Sequence, residues 1–228
     1  MTTTDVTITG RILALDAALA NCAVGVVAGH DLVASRLRPG PRGHVAALAA
    51  MVNDVLAKAG TYPAGLACIA VTVGPGSFTG LRAALALAHG IGIATGRPVI
   101  GVTLAEVLAS SLPNLRGRDL WTAIDSRRGR VFLDRGEGMQ ACPLDELPHP
   151  AGPVAIAGDA AVGVAARLAA RGNDVMLTDA RQPAIRHVAL VASRRLAGTL
   201  PPCPAEPLYV DEPEARRPQA GRPGSSRG

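Results

Sequence analysis

Short apolar runs separated by turn signals dominate the first forty residues. Residues 11–16 (R-I-L-A-L-D), 22–28 and 32–37 are apolar or alternating stretches, broken at Asn21 and at Gly29-His30-Asp31. Spacing this tight leaves no room for helical crossovers and predicts three strands in an antiparallel meander. Beyond Pro39-Gly40-Pro41, apolar residues recur at Val45, Leu48, Val52, Val55 and Leu56, the spacing of an amphipathic helix over 44–59. Residues 66–73 form a continuous apolar run, the pattern of a strand buried on both faces, and lead through a glycine-rich loop at 74–79 into a helix over 80–95.

The remaining pattern predicts a strand at 98–102, a helix at 104–112, and a hairpin of strands 120–124 and 130–133 whose turn is supplied by Gly129. Prolines at 143, 148, 150 and 153 loosen the pattern before a strand at 154–157. Helices over 160–170 and 184–196 then flank a short strand at 174–177. A Pro-, Gly-, Ser- and Arg-rich tail closes the chain, and residues 211–228 are expected to be disordered. Three meander strands ahead of the first helix exclude Rossmann order and fit the ribonuclease-H-like and actin-like α/β class. The division expected is an N-terminal subdomain over 1–102 and a smaller second one over 103–210. No repeat period of twenty to fifty residues is visible.

Composition narrows this picture. Hydrophobic residues make up 48% of 228 and charged residues 18%, which excludes collagen, coiled coil and intrinsic disorder. Five aromatic residues stand against 42 alanines, so the core is built from Ala, Val, Leu and Ile, with closely packed helices. So few rings argue against a stacking platform for single-stranded nucleic acid. The net charge is +5, yet Lys58 is the single lysine and the arginines are scattered. The densest cluster, residues 116–135, sets six arginines against three aspartates and is either an RNA-facing patch or a solvated surface.

Cys22, Cys68, Cys142 and Cys203 form no C-x-x-C pair and read as free thiols in a reducing cytosol. The N-terminus has no basic region ahead of an apolar one, and no uncharged stretch is suited to a bilayer, so a soluble cytoplasmic protein is expected.

Four segments are candidates for chemistry. Gly74-Pro75-Gly76-Ser77-Phe78-Thr79-Gly80 joins a buried strand to a helix, where free N–H groups and glycines can receive an anion. It lacks the G-K-[ST] ending of a P-loop, and an alternative stays open: Gly74 and Gly76 meet backbone needs while Ser77 or Thr79 caps the helix. Asp16 ends the first strand, where a carboxylate could orient a nucleotide or metal, but Ala17 and Ala18 offer no hydroxyl. Asp125 ends a later strand ahead of Arg127 and Arg128, as a second candidate or as hairpin surface charge. His44 opens the first helix without a second histidine one turn on, since position 48 is Leu, so no metal site is expected. No Ser-His-Asp set is suggested by spacing, and peptidase machinery is not visible. The alanine-rich helices 44–59 and 80–95 favour close helix–helix contact, within the domain or with a partner.

Taken together, I-L-A-L-D at 12–16, C-A-V-G-V at 22–26, V-G-P-G-S-F-T-G-L-R at 73–82, G-R-P-V-I-G-V at 96–102 and A-I-D-S-R-R-G-R-V-F at 123–132 resemble the TsaB (YeaZ) family, as does Pro207-Leu208-Tyr209 near the end. The resemblance implies an actin-like, sugar-kinase-like fold of two subdomains, the second degenerate. It also implies a role in forming threonylcarbamoyladenosine next to the anticodon of tRNAs that read codons starting with A. In that scheme TsaC makes the threonylcarbamoyl adenylate from threonine, bicarbonate and ATP, TsaD transfers the group to tRNA, and TsaE is an ATPase that binds the assembly. A TsaB-like chain is a non-catalytic subunit that binds TsaD directly, has no cofactor of its own, meets ATP and tRNA through the complex, and forms a homodimer when alone.

The implied pairing uses the first two helices, with His44, Ala47, Leu48, Met51 and Val55 on one and Arg82, Ala84, Leu85 and Ala88 on the other. On that reading a large charged residue at Ala84 or Ala88 breaks association without unfolding. Within the arginine cluster, Arg127 and Arg128 are the candidate tRNA contacts, with solvated hairpin charge as the alternative. The family's usual Asp-Thr pair is Asp16-Ala17 here, so Asp16 with Gly74, Gly76, Ser77 and Thr79 reads as a vestigial nucleotide loop. The alternative is an actin-like ATPase or kinase using those same residues.

Overall fold

A computed structural model of the chain describes residues 10–40 and 44–210; the expected tail at 211–228 lies outside the described residues. In the first half, β1 (Arg11–Asp16), β2 (Cys22–Ala28) and β3 (Asp31–Arg38) form the meander, followed by α1 (His44–Lys58), β4 (Leu66–Gly74), α2 (Phe78–Thr95), β5 (Val99–Thr103) and α3 (Leu104–Ser110). The sheet order is β3-β2-β1-β4-β5, with β1 antiparallel to β2 and parallel to β4. Alternate residues of the central strands face opposite helical layers, as the two-residue period of a strand requires. Leu13, Leu15, Val24, Ile69 and Val71 pack on Leu48, Val52 and Val55 of α1 and on Ala84, Leu85 and Ala88 of α2. Ile12, Ala14, Val27, Cys68 and Ala70 face the other way.

The second half contains β6 (Asp119–Asp125), β7 (Arg130–Asp134), β8 (Met139–Pro143), β9 (Val154–Ala157), α4 (Ala161–Ala170), β10 (Val175–Leu177) and α5 (Ile185–Leu196). Its sheet order is β10-β9-β6-β7-β8, again with the first strand antiparallel to the second and parallel to the fourth. The topology of the first sheet is therefore repeated, a duplication the residue pattern does not display. Strand β8 is also absent from that pattern, because its five residues, M-Q-A-C-P, do not alternate and end in proline. Between β8 and β9, where the first half has α1, three prolines at 148, 150 and 153 prevent a helix. Buried Leu147 plugs the core there, beside Val164 and Leu168 of α4. Arg171 holds this loop through the carbonyls of Leu147 at 2.6 Å and Asp145 at 2.7 Å.

Helix α5 returns to the first sheet: Ile185, Val188, Ala189 and Ala192 cover Ile12, Ala14 and Ala70. Residues 201–209 follow it there as an extended strap. The two halves meet through an apolar cluster in which Ala18, Leu19 and Leu81 join Leu104, Leu108, Ile124 and Ala157.

Candidate functional site

The carboxylate that ends β1 is buried. Asp16 is 1% exposed, and its Oδ1 accepts from Thr72 Oγ1 at 2.6 Å and from the Ala18 N–H at 3.2 Å. Burial pushes its carboxyl up to about 6, with those two hydrogen bonds acting in the opposite direction. The glycine loop lies directly against the β1–β2 turn: the Ser77 N–H donates to Ala18 O at 2.7 Å. A Cβ at Gly76 would stand 2.1 Å from Ala18 O, and one at Gly80 2.1 Å from Ala17 O. These two glycines thus permit backbone-to-backbone approach. Ser77 is the N-cap of α2, its side chain accepting from Gly80 N at 3.3 Å, while Thr79 belongs to the exposed first turn of a helix that starts at Phe78 rather than at residue 80. Gly74, with φ of 112°, takes a conformation that favours glycine. Of the two readings left open by the residues, the capping one is what this geometry supports.

In the second half the corresponding corner is more open. Asp125 ends β6, and its Oδ1 accepts from the Arg127 N–H at 2.8 Å, closing the hairpin turn. Arg127 has a left-handed φ of 61°, which the pattern did not signal, and Gly129 has one of 73°. The guanidinium of Arg127 lies 3.6 Å from Asp125 and 3.8 Å from Asp159. Burial raises the Asp159 carboxyl, opposed by the Asp125 N–H and by Arg127. Arg127 and Arg128 are exposed on this hairpin, far in the chain from Asp16 and the glycine loop.

The two helices over the first sheet divide the expected interface residues. Leu48, Val55, Ala84, Leu85 and Ala88 are at most 4% exposed, packed on β1, β2 and β4, so they form no partner surface and the expectation for Ala84 and Ala88 is corrected. The cause is a helical phase that alanine content could not reveal, since both faces of α2 are rich in small residues. Ala47 and Met51 are half-buried, Arg82 is exposed, and the side chain of His44 lies outside the described residues. What α2 presents outward is Ala86, Gly90, Ile93 and Ala94, with Ile93 85% exposed. Among the described helices α2 alone is long and apolar enough to cross a membrane, yet it is a capped helix lying on the first sheet. A Cβ at Gly90 would meet nothing within 4 Å, and the residue has no left-handed φ, so the fold of this chain gives no reason for a glycine there.

Burial pushes the Cys68 thiol up to about 12, and burial together with the Asp16 charge pushes Cys22 up to about 11. Among the described residues no group of three or more His, Cys, Asp or Glu is placed to hold a metal.

Two sheets of the same 3-2-1-4-5 order, with helices packed over the first and an apolar cluster joining the two halves, define an α/β protein of the actin-like and sugar-kinase-like class. The family model of TsaD, tRNA N6-adenosine threonylcarbamoyltransferase, matches residues 40–143. The tRNA threonylcarbamoyladenosine biosynthesis protein TsaB of Escherichia coli is 33% identical over 150 residues, covering 61% of this chain and 64% of that protein. The match thus spans somewhat less than two thirds of that relative's length. An uncharacterized protein of Mycobacterium tuberculosis is 32% identical over 212 residues, covering 90% of this chain and 93% of the relative. The structure of YeaZ from Pseudomonas aeruginosa superimposes with a TM-score of 0.72 at 26% identity, over 88% of this chain and all of that one. The chain is thus similar in sequence and in fold to proteins of the TsaB (YeaZ) family.

Proposed function

We propose that this protein is a non-catalytic subunit of the cytoplasmic machinery that forms threonylcarbamoyladenosine in tRNA, and that it acts by binding and supporting a TsaD-type transferase. The observation that carries this reading is the outer face of α2. A helix apolar on both sides has one side on the sheet and the other, centred on Ala86, Gly90 and Ile93, in solvent. A glycine in a helix interior costs about 1 kcal/mol relative to alanine, and at Gly90 no contact within the chain requires it. A partner helix approaching closely there supplies the reason. The family match to a transferase over residues 40–143 supports a partner of related fold, because the matched segment includes both helices. In the free protein the same face would pair two copies of this chain.

The packed surroundings of Asp16, Gly76 and Gly80 support the absence of a nucleotide site of its own, and ATP then enters through other members of the assembly. TsaC-type and TsaE-type proteins complete the pathway, and tRNA is reached through the complex, with Arg127 and Arg128 as candidate contacts. The test is reconstitution from TsaC-, TsaD- and TsaE-type proteins with tRNA, ATP, threonine and bicarbonate, with this chain present or omitted. Loss of threonylcarbamoyladenosine on omission, without ATP turnover by this chain alone, is the expected outcome. Full product in its absence overturns the reading, and ATP turnover abolished by Asp16→Ala would establish the kinase-like alternative instead.

A further inference from the structure

We infer that Phe78, Arg82 and Tyr209 form a preorganised anchor for a carboxylate presented by a protein partner at the N-terminal end of the α2 face. The inference rests on the docking reading above and adds the chemistry recognised at one end of that face. Phe78 and Tyr209 are two of the five aromatic residues in the chain, and they stand together in solvent, 57% and 51% exposed. Their ring centroids are 6.4 Å apart at an interplanar angle of 41°. The guanidinium carbon of Arg82 lies 3.6 Å from the Phe78 centroid. Its Nε and Nη2 both donate to the Tyr209 hydroxyl, at 3.2 and 2.8 Å.

Arg82 is therefore held with one face on a ring and one edge on a neutral hydroxyl, and among the described residues no carboxylate is paired with it. An arginine already fixed in this way loses little rotamer freedom on binding, and its planar fork matches a carboxylate. The cluster is also built from a distance of 127 residues along the chain. The strap that delivers Tyr209 is pinned at its start by Arg195 of α5, whose side chain is 6% exposed, pairs with Glu106, and donates to Pro201 O at 2.6 Å and Gly101 O at 2.7 Å. It continues through Gly101 N–H to Cys203 O at 3.2 Å and Leu208 N–H to Val73 O at 2.8 Å, with His89 Nε2 bonded to Ala205 O at 2.8 Å. A Cβ at Gly101 would stand 2.3 Å from Pro204 O, so the strap lies flush on the sheet.

Charge selects the class of partner. Arg82 is the single charged residue in the 18 of α2, and the exposed positions beyond it are apolar or small except His89, whose Nε2 is bonded to Ala205 O. A nucleic-acid face neutralises several phosphates, whereas one exposed arginine held beside two rings, and desolvated when a partner covers it, is the make-up of a protein–protein hot spot. The occupant is accordingly an acidic side chain flanked by apolar ones on the transferase-type partner, next to where that partner meets Ala86 and Gly90. Arg82 and Phe78 make the contact, and Tyr209 is a positioning residue.

Calorimetric titration of the full chain with the TsaD-type protein, at low and high salt, tests this. Arg82→Ala is expected to weaken binding about tenfold or more and to flatten its salt dependence, with the melting temperature unchanged. Tyr209→Phe keeps the ring and is expected to weaken binding about threefold, an effect that disappears in the Arg82→Ala background, as positioning through Arg82 requires. Wild-type affinity in Arg82→Ala and Phe78→Ala, with binding lost in Ala86→Arg, overturns the anchor and leaves the docking reading intact. Wild-type affinity in all three overturns both. Weakened tRNA binding by Arg82→Ala with transferase affinity unchanged overturns the anchor in favour of a nucleic-acid contact.

Discussion

The two halves of the molecule share one strand order and differ in what covers it. In the first half α1 and α2 lie together on one face of the sheet, with Leu48, Val52 and Val55 beside Ala84, Leu85 and Ala88. In the second half the loop holding Leu147 stands where α1 would be, and α4 covers that face alone. The corners differ as well: Asp16 is 1% exposed under the β1–β2 turn, whereas the side chain of Asp125 is 45% exposed on its hairpin. A shared topology thus leaves one half with a paired helical layer in which α2 turns an apolar side outward, and the other with a polar, arginine-bearing edge.

The largest expected effect separates the inner side of α2 from the outer. Ala88→Arg places a charge among Val and Leu side chains of the first core and should abolish cooperative thermal unfolding. Ala86→Arg, half a turn away and exposed, should melt as wild type and fail to associate with the transferase-type partner in gel filtration. If Ala88→Arg folds, the assignment of faces is broken.

Next are the close backbone approaches that both halves use. A Cβ would lie 2.1 Å from Ala18 O at Gly76 and 2.1 Å from Ala123 O at Gly158. Gly76→Ala and Gly158→Ala should each destabilise the protein by about 3 kcal/mol or more in chemical denaturation. Gly158 should be the more sensitive, because its φ of 102° adds strain of its own. Equal tolerance at both positions would show that the corners are looser than their geometry.

The buried carboxylate gives a pH signature. With its carboxyl raised from 3.8 to about 6, Asp16 holds a proton more tightly in the folded state than in the unfolded one. Stability from this group is complete below the unfolded value and is lost as pH rises through about 6. Asp16→Asn should therefore melt close to wild type near pH 3.5 and gain relative stability, of order 2–3 kcal/mol, by pH 7. A difference between the two proteins that is constant across that range would remove burial as the dominant influence on Asp16. Burial raises Asp159 in the same direction, so the slope of wild type contains a contribution from the second half too.

The smallest effect is the most diagnostic for the helical layer. Gly90→Ala fills open space and should stabilise the free chain by about 1 kcal/mol while weakening association. A variant more stable and equally able to associate would leave that glycine without a reason.

The elements of the first half were legible because their residues obey one period at a time. The alternation of Ile12 and Ala14 with Leu13 and Leu15, and the helical spacing of Leu48, Val52 and Val55, are strong signals that the structure follows closely. β8 was not legible, since M-Q-A-C-P has no period and its partner β7 supplies the pairing. At the site, Ser77 as a cap was among the readings open from the residues, and the glycines were visible as glycines. Their purpose was not, because it depends on Ala17 and Ala18, about sixty residues earlier in the chain.

Local chemistry by itself determined the strands other than β8, the helices, the turn glycines, the alanine-built core and the motif set that points to the family. Those properties are set by neighbours within a few residues, where sterics and periodicity act. Tertiary structure alone decided which side of α2 is core, that the second sheet repeats the first, that Asp16 is sealed, and that Tyr209 meets Arg82. Each of these depends on groups brought together from distant parts of the chain, and burial and desolvation come into being only when those parts pack.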